Sequence, residues 1–281
     1  MGLSISILTG ITLIFGDPSF DQKFPTACLQ KGFLLLDQGV ELTEEAVGFG
    51  VPVIKRGLQS IFPGNAELTW QKEGSMWVIT AIFKLNLVEK FSRVGNGDVW
   101  NGDVGNKPFY AVKDYLAEVI RRFPVFRRLL TSISSFLRQM FHWKTTYSEG
   151  GMAAEMKVIY TLEAGTGRTM VDVDVSDLPS DITEVVMMNE QGAHAFDRYR
   201  DSSGNCLQGE AIGCWDEVTA DEAWFESSAR RVAFRLSQVK GAQLFRGREL
   251  IGSRLAWAGF GFTFPPSVRK LHYEMLIERI A

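Results

Sequence analysis

Apolar residues recur at every second position along most of this chain, and that alternation is broken once, by a long basic segment with helical spacing. A period of two places successive side chains on opposite faces of an extended strand, so such runs fold only where one face is covered. Leu3, Ile5 and Ile7, then Ile11, Leu13 and Phe15, alternate on either side of Gly10 and predict a strand pair. Leu68 and Trp70 lead into a turn at residues 72–75, and Trp77, Ile79, Ala81, Phe83, Leu85 and Leu87 return from it. Val47, Phe49, Val51 and Val53 alternate around Gly48, Gly50 and Pro52, where proline predicts an edge or a bulge because it has no N–H for the ladder.

Beyond residue 150 the pattern resumes. Met156, Val158, Tyr160 and Leu162 run into a turn at residues 164–167, and Val171, Val173 and Val175 return. A second hairpin is predicted to turn at residues 189–192, followed by strands at Val232–Leu236 and Leu271–Ile277. Leu255 and Trp257 share one parity while Phe260, Phe262 and Phe264 share the other, which predicts a bulge beside Gly259. A dozen or more strands strain a single flat sheet. The expected fold is therefore mainly β: a large antiparallel two-sheet sandwich, or a curled sheet, forming one domain over residues 1–281.

The interruption spans residues 107–143. Phe109, Val112, Leu116, Val119, Ile120 and Phe123 line one helical face, and Phe126, Leu129, Leu130, Ile133, Leu137 and Met140 line another. Pro124 between them removes a backbone hydrogen bond, so the spacing predicts an inserted amphipathic helical pair with a corner there. Eight basic residues from Lys107 to Lys144 face only Asp114 and Glu118, and Arg121, Arg122, Arg127 and Arg128 flank the corner. That charge suits a solvated structural pair, a lid over a ligand, or peripheral contact with an anionic membrane.

The bulk numbers exclude several classes. A net charge of -3 does not fit nucleic-acid binding, which needs a basic excess. No apolar run is long enough for a transmembrane helix. The apolar stretch from Leu3 to Phe15 has no preceding basic residue, so it reads as strands rather than a targeting segment. Cys28, Cys206 and Cys214 form no closed disulfide set, although the last two can pair, and an odd count favours a reducing, cytoplasmic compartment. No metal-ligand spacing is present; the repeated NGDV of residues 96–104 lacks the spacing of a calcium loop. No metal or other cofactor is predicted.

Three groups of residues carry candidate chemistry. Between Asp201 and Ala229 there are seven acids and no Lys or Arg, interleaved with Trp215 and Trp224. An indole stacks on the apolar face of a sugar while a carboxylate such as Glu217 accepts from its hydroxyls. His194, Arg198, Tyr199 and Arg200 offer a proton-transfer pair and carboxylate-binding guanidiniums, but strand alternation puts Tyr199 on the face opposite the other three. Arg246 and Arg248 share one strand face, near Arg254, at a spacing that grips a carboxylate or phosphate or pairs with acids across strands. The leading expectation is a carbohydrate-related β-sandwich that binds or acts on a sugar. The alternatives are a protein binding an anionic small molecule or lipid beneath a basic helical lid, and a structural assembly protein without catalysis. No catalytic residue is identified.

Overall fold

A computed structural model describes residues 2–16, 32–44, 46–57, 59–93, 99–101, 144–251 and 255–280. The helical pair expected over 107–143, Arg254 and Cys28 lie outside the described residues, as does most of the NGDV repeat.

The chain divides into two units. One is Met1–Leu87 with Gly151–Ala281, and the other is Val88–Gly150. In the first, β1 (Leu3–Leu8) and β2 (Ile11–Phe15) pair antiparallel across Gly10 as the alternation predicts. They continue through β3 (Leu34–Asp37) to the two-residue β4 (Val40–Glu41), forming a four-stranded sheet in chain order. In the second unit, residues 99–101 form a short strand, β8 (Val99–Asn101), paired with residues 91–93.

The remaining strands form one long antiparallel ribbon. They are β5 (Phe49–Arg56), β6 (Gln59–Glu73), β7 (Met76–Arg93), β9 (Lys144–Glu163), β10 (Arg168–Asp174), β11 (Glu184–Gln191), β12 (Arg198–Asp201), β13 (Cys206–Gln208), β14 (Asp216–Glu217), β15 (Glu222–Ser227), β16 (Val232–Ser237), β17 (Gln243–Ile251), β18 (Leu255–Phe264) and β19 (Lys270–Arg279). Their order is β13-β12-β15-β16-β19-β10-β9-β7-β6-β5-β11-β18-β17-β14. The hairpins β6–β7 and β9–β10 and the last strand β19 stand where the alternation puts them.

The ribbon folds back on itself at β6. This strand pairs β5 through residues 59–61 and β7 through residues 62–73, with an irregularity between Pro63 and Asn65. A strand that changes partners along its length turns the corner between two layers. The layer β5-β11-β18-β17-β14 then faces the layer running from β6 to β13. Phe260 on β18 meets Phe225 on β15 at 4.9 Å, Phe262 meets Tyr273 on β19 at 4.8 Å, and Phe49 meets Phe234 on β16 at 5.1 Å. None of these pairs are neighbours in the hydrogen-bond order, so the contacts are between layers. The four-stranded sheet adds a third contact face, with Phe15 at 5.5 Å from Tyr160 on β9 and 6.4 Å from Phe83 on β7.

Polar groups tie the two layers as well. Tyr160 donates its hydroxyl to the Gly50 carbonyl at 2.5 Å, while Asn189 Oδ1 accepts from the Gly50 N–H at 3.0 Å and from Tyr273 at 3.1 Å. Burial pushes both phenols well above their ordinary range, so they serve as neutral donors.

Two sequence expectations are corrected. Residues 189–192 do not turn a hairpin: β11 runs through Gln191, and the chain then crosses to β12, which pairs β13 and β15 in the other layer. There is no bulge beside Gly259 either, because β18 pairs residue for residue with both β17 and β11. Its parity switch arises because both faces are covered, Phe260, Phe262 and Phe264 on the inner face and Trp257 on the outer. A true bulge lies on β5, where Phe49 pairs Asn189 and Val51 pairs Met188 with Gly50 between. Pro52 follows it and lies outside the residues that pair β6, as a missing N–H requires.

Candidate functional site

The two ends of the ribbon are joined by one connector. β13 lies on β12 at one end and β14 lies on β17 at the other. Between them run a single 3-10 turn, Gly209–Ile212, then Gly213, Cys214 and Trp215. Of the residues singled out from the sequence, the connector carries Trp215, leads into Glu217 on β14 and is bonded by Arg246 and Arg248, and Arg246 in turn rests on Tyr199.

Trp215 is partly exposed and lies against the outer face of the first layer. Its ring stacks on Phe245 of β17, centroids 5.5 Å apart and planes 4° from parallel, with its edge on Gly261 of β18. A methyl group at Gly261 would overlap the indole, so glycine is what admits the ring to the sheet surface. Trp257 meets Trp215 edge-on at 6.5 Å and donates its indole N–H to Glu249 at 3.2 Å. Trp257 is 9% exposed, so Trp215 is the reachable ring of this pair. The adjacent Asp216 and Glu217 are exposed.

Arg246 lies beneath the connector. Its guanidinium rests 4.7 Å over the Tyr199 ring and donates to the carbonyls of Ile212 (3.1 Å) and Glu217 (3.3 Å), with Asp216 at 4.0 Å. Arg248 donates to the carbonyls of Ala193 at 2.8 Å and Phe196 at 3.3 Å, and burial lowers its pKa. Both arginines bond backbone carbonyls and so brace loops.

Tyr199 is buried and donates to Asp201 at 2.8 Å. Burial chiefly, then the hydrogen bond to the Asp201 carboxylate, raises the phenol above its ordinary range, so it stays protonated as a hydrogen-bond donor. Asp201 in turn closes the 201–205 turn, accepting from Ser203 and Asn205. Burial opposes its ionisation, yet the hydrogen bonds from Ser203, Asn205 and Tyr199 outweigh that and hold its pKa down at about 2. A depressed carboxylate stabilises the fold above the ordinary value near 4, and that contribution is lost as pH falls through about 2. Urea midpoints measured from pH 5 to pH 2 should therefore show Asp201→Asn less stable than the parent by up to about 2 kcal/mol at pH 5, with the gap closing toward pH 2. An unchanging gap would mean that the carboxylate's charge is not what those donors stabilise.

The other candidates are elsewhere. Arg198 and Arg200 face outward from β12 onto Glu226, at 3.6 and 3.2 Å. Trp224 shares that outer face of β15, with its N–H on Glu226 at 3.0 Å and its ring capped by Arg235 at 4.7 Å. These are cross-strand partners. His194 is exposed and pairs with Glu44 at 2.8 Å. His194 lies in the turn before β12, outside the strand, so strand alternation does not govern where it stands relative to the buried Tyr199. A shallow cleft of about 400 Å³ between Thr183, Glu184, Gln243 and Phe264 is lined by none of these residues. Sequence reasoning missed Phe245, Gly261 and the Trp257–Glu249 pair. The glycines at 247 and 261, where a Cβ would meet the Trp257 and Trp215 rings, were the signal that an outer face had been cleared for bulky rings.

Cys206 and Cys214 are free thiols. Among the described residues, no group of three or more His, Cys, Asp or Glu side chains is placed to hold a metal ion, and no helix is long and apolar enough to cross a membrane.

No family model matches the chain, and no curated protein matches it. Among solved structures it is similar to ligand-free alpha-N-acetylgalactosaminidase NagBb from Bifidobacterium bifidum, at 10% identity and a TM-score of 0.48. That match covers 100% of this chain and 36% of the other, so the chain spans about a third of its length. It is also similar to Slr1438 from Synechocystis sp. PCC 6803 (8% identity, TM-score 0.37, covering 99% and 96% of the two chains). A third, HI1317, shares 5% identity at a TM-score of 0.34, covering 99% and 100%. All three lie below a TM-score of 0.5.

Proposed function

We propose that this protein binds carbohydrate on the outer face of its first layer, with Trp215 as the stacking platform. The observation that carries the reading is a partly exposed indole fixed on a glycine-cleared sheet surface, with Glu217 two residues on and paired to the Phe245 beneath the ring, and Glu249 bonded to the neighbouring Trp257. A sugar presents an apolar face edged by hydroxyl donors. A rigid aromatic surface beside carboxylate acceptors matches both properties with little ordering cost. Trp224 offers no such platform, because Arg235 covers its ring.

A broad glycan array, followed by titration of any hit, tests this. Trp215→Ala should weaken binding by about tenfold or more, the usual effect of truncating a central aromatic anchor. Trp224→Ala should leave affinity within about twofold. An array without a hit, or equal affinity in parent and Trp215→Ala, would remove the proposal.

A further inference from the structure

We infer that Arg246 is a positioning residue for the Trp215 surface; the inference deepens the carbohydrate reading and rests on it. The connector has little ladder of its own to hold it. β14 contributes only two paired residues, Asp216 opposite Arg246 and Glu217 opposite Phe245. The residues just before Trp215 have lateral support through the Arg248 N–H, which donates to the Gly213 carbonyl at 2.9 Å. Beyond Glu217 the Val218 N–H donates to the Leu244 carbonyl at 2.8 Å, so each flank has backbone support on β17. One side chain adds a bond across the two: the Arg246 guanidinium bonds the carbonyl of Ile212 on one side of Trp215 and that of Glu217 on the other, tying the flanks of the platform to each other.

The group is itself held rigid. It stacks over Tyr199, whose ring is buried and whose hydroxyl is anchored on Asp201. The chain of support therefore runs from the Asp201 turn through Tyr199 and Arg246 to the connector and Trp215. Only arginine can do this. Its N–H donors lie in a fixed fork that reaches two carbonyls at once, whereas lysine offers one ammonium centre on a flexible stem. A platform whose flanks are untied populates its binding geometry only part of the time, and apparent affinity falls by that fraction.

Arg248 provides a comparison within the same strand. Its side chain bonds Ala193 and Phe196, outside the connector, and its contact to Gly213 is made by the backbone. Arg248→Lys should therefore leave the connector unchanged, while Arg246→Lys should release it.

The test combines amide hydrogen exchange with glycan titration on the full chain. In Arg246→Lys, amides of residues 213–217 should exchange about tenfold faster than in the parent, as expected for losing two modest hydrogen bonds, with β9 and β10 unchanged. Affinity for an array-identified glycan should fall about fivefold or more, and Arg248→Lys should match the parent in both measurements. Should Arg246→Lys fail to fold, the parent decides: the 213–217 amides must exchange at least about tenfold more slowly than those of Lys240 and Gly241 in the exposed turn before β17. Unaltered exchange in Arg246→Lys, or fast exchange in the parent, overturns the inference. Faster exchange with unaltered affinity overturns it too, while leaving the carbohydrate reading in place. An array with no hit for the parent removes that reading and the positioning role together, whatever the exchange shows.

Discussion

Replacing Phe260 with alanine is expected to lower the stability of the fold by about 3–5 kcal/mol, the usual range for emptying a buried phenylalanine site. Phe260 is fully buried on β18 and its ring meets three others: Phe225 at 4.9 Å, Phe234 at 5.8 Å and Tyr199 at 6.3 Å. All three partners belong to the opposite layer, on β15, β16 and β12. The lost contacts are therefore those that close the ribbon on itself, and the rigid strands on both sides limit how far the site can collapse. Urea unfolding should show a lower midpoint at an unchanged slope. A loss below about 1 kcal/mol would mean that the two layers do not meet at this residue.

Gly50→Ala should be comparably damaging, by about 2–4 kcal/mol, although it adds only a methyl group. Gly50 has φ of 72°, in the left-handed region that costs a side-chain-bearing residue about 1–2 kcal/mol. The new Cβ would also overlap the buried Tyr160 ring. Tyr160 cannot simply move, because its hydroxyl is bonded to the Gly50 carbonyl and the Gly50 N–H is bonded to Asn189. The strain and the overpacking therefore act on one network. Thermal or urea unfolding of the variant measures the sum; a change within about 0.5 kcal/mol would mean that the bulge on β5 is not formed as described.

The parts of this fold that were legible in the sequence are those with one covered and one wet face. β10 alternates buried Thr169, Val171 and Val173 with more exposed neighbours, and β19 does the same from Leu271 to Ile277; both were read correctly. The first layer was harder because its strands are covered on both sides. On β5, Phe49 faces inward while Val51 and Val53, also buried, face outward, so the bulge left the apolar rhythm unbroken. On β18 the reverse happened: a regular strand looked broken because Trp257 and Phe260 fill opposite faces. The crossing from β11 to β12 resembled a hairpin because Gly192 sits where a tight turn would put it. For the site, composition pointed to the Trp215–Trp224 stretch but could not rank the two rings. Their difference lies in partners distant in sequence, Phe245 and Gly261 for one and Arg235 for the other. The arginines at 246 and 248 were legible as a pair, but their targets are backbone carbonyls, which no side-chain pattern encodes.

If Trp215 is the ring a bound sugar covers, oxidative footprinting of the tryptophans with peptide mass spectrometry will show it directly. Without ligand, Trp70 (46% exposed) should oxidise readily, Trp215 more slowly, and the nearly buried Trp257 least of these three. Adding a saturating array-identified glycan should protect Trp215 and leave Trp70 and Trp224 unchanged. Protection of Trp70 or Trp224 instead, or of no tryptophan while the glycan is demonstrably bound, would contradict the account.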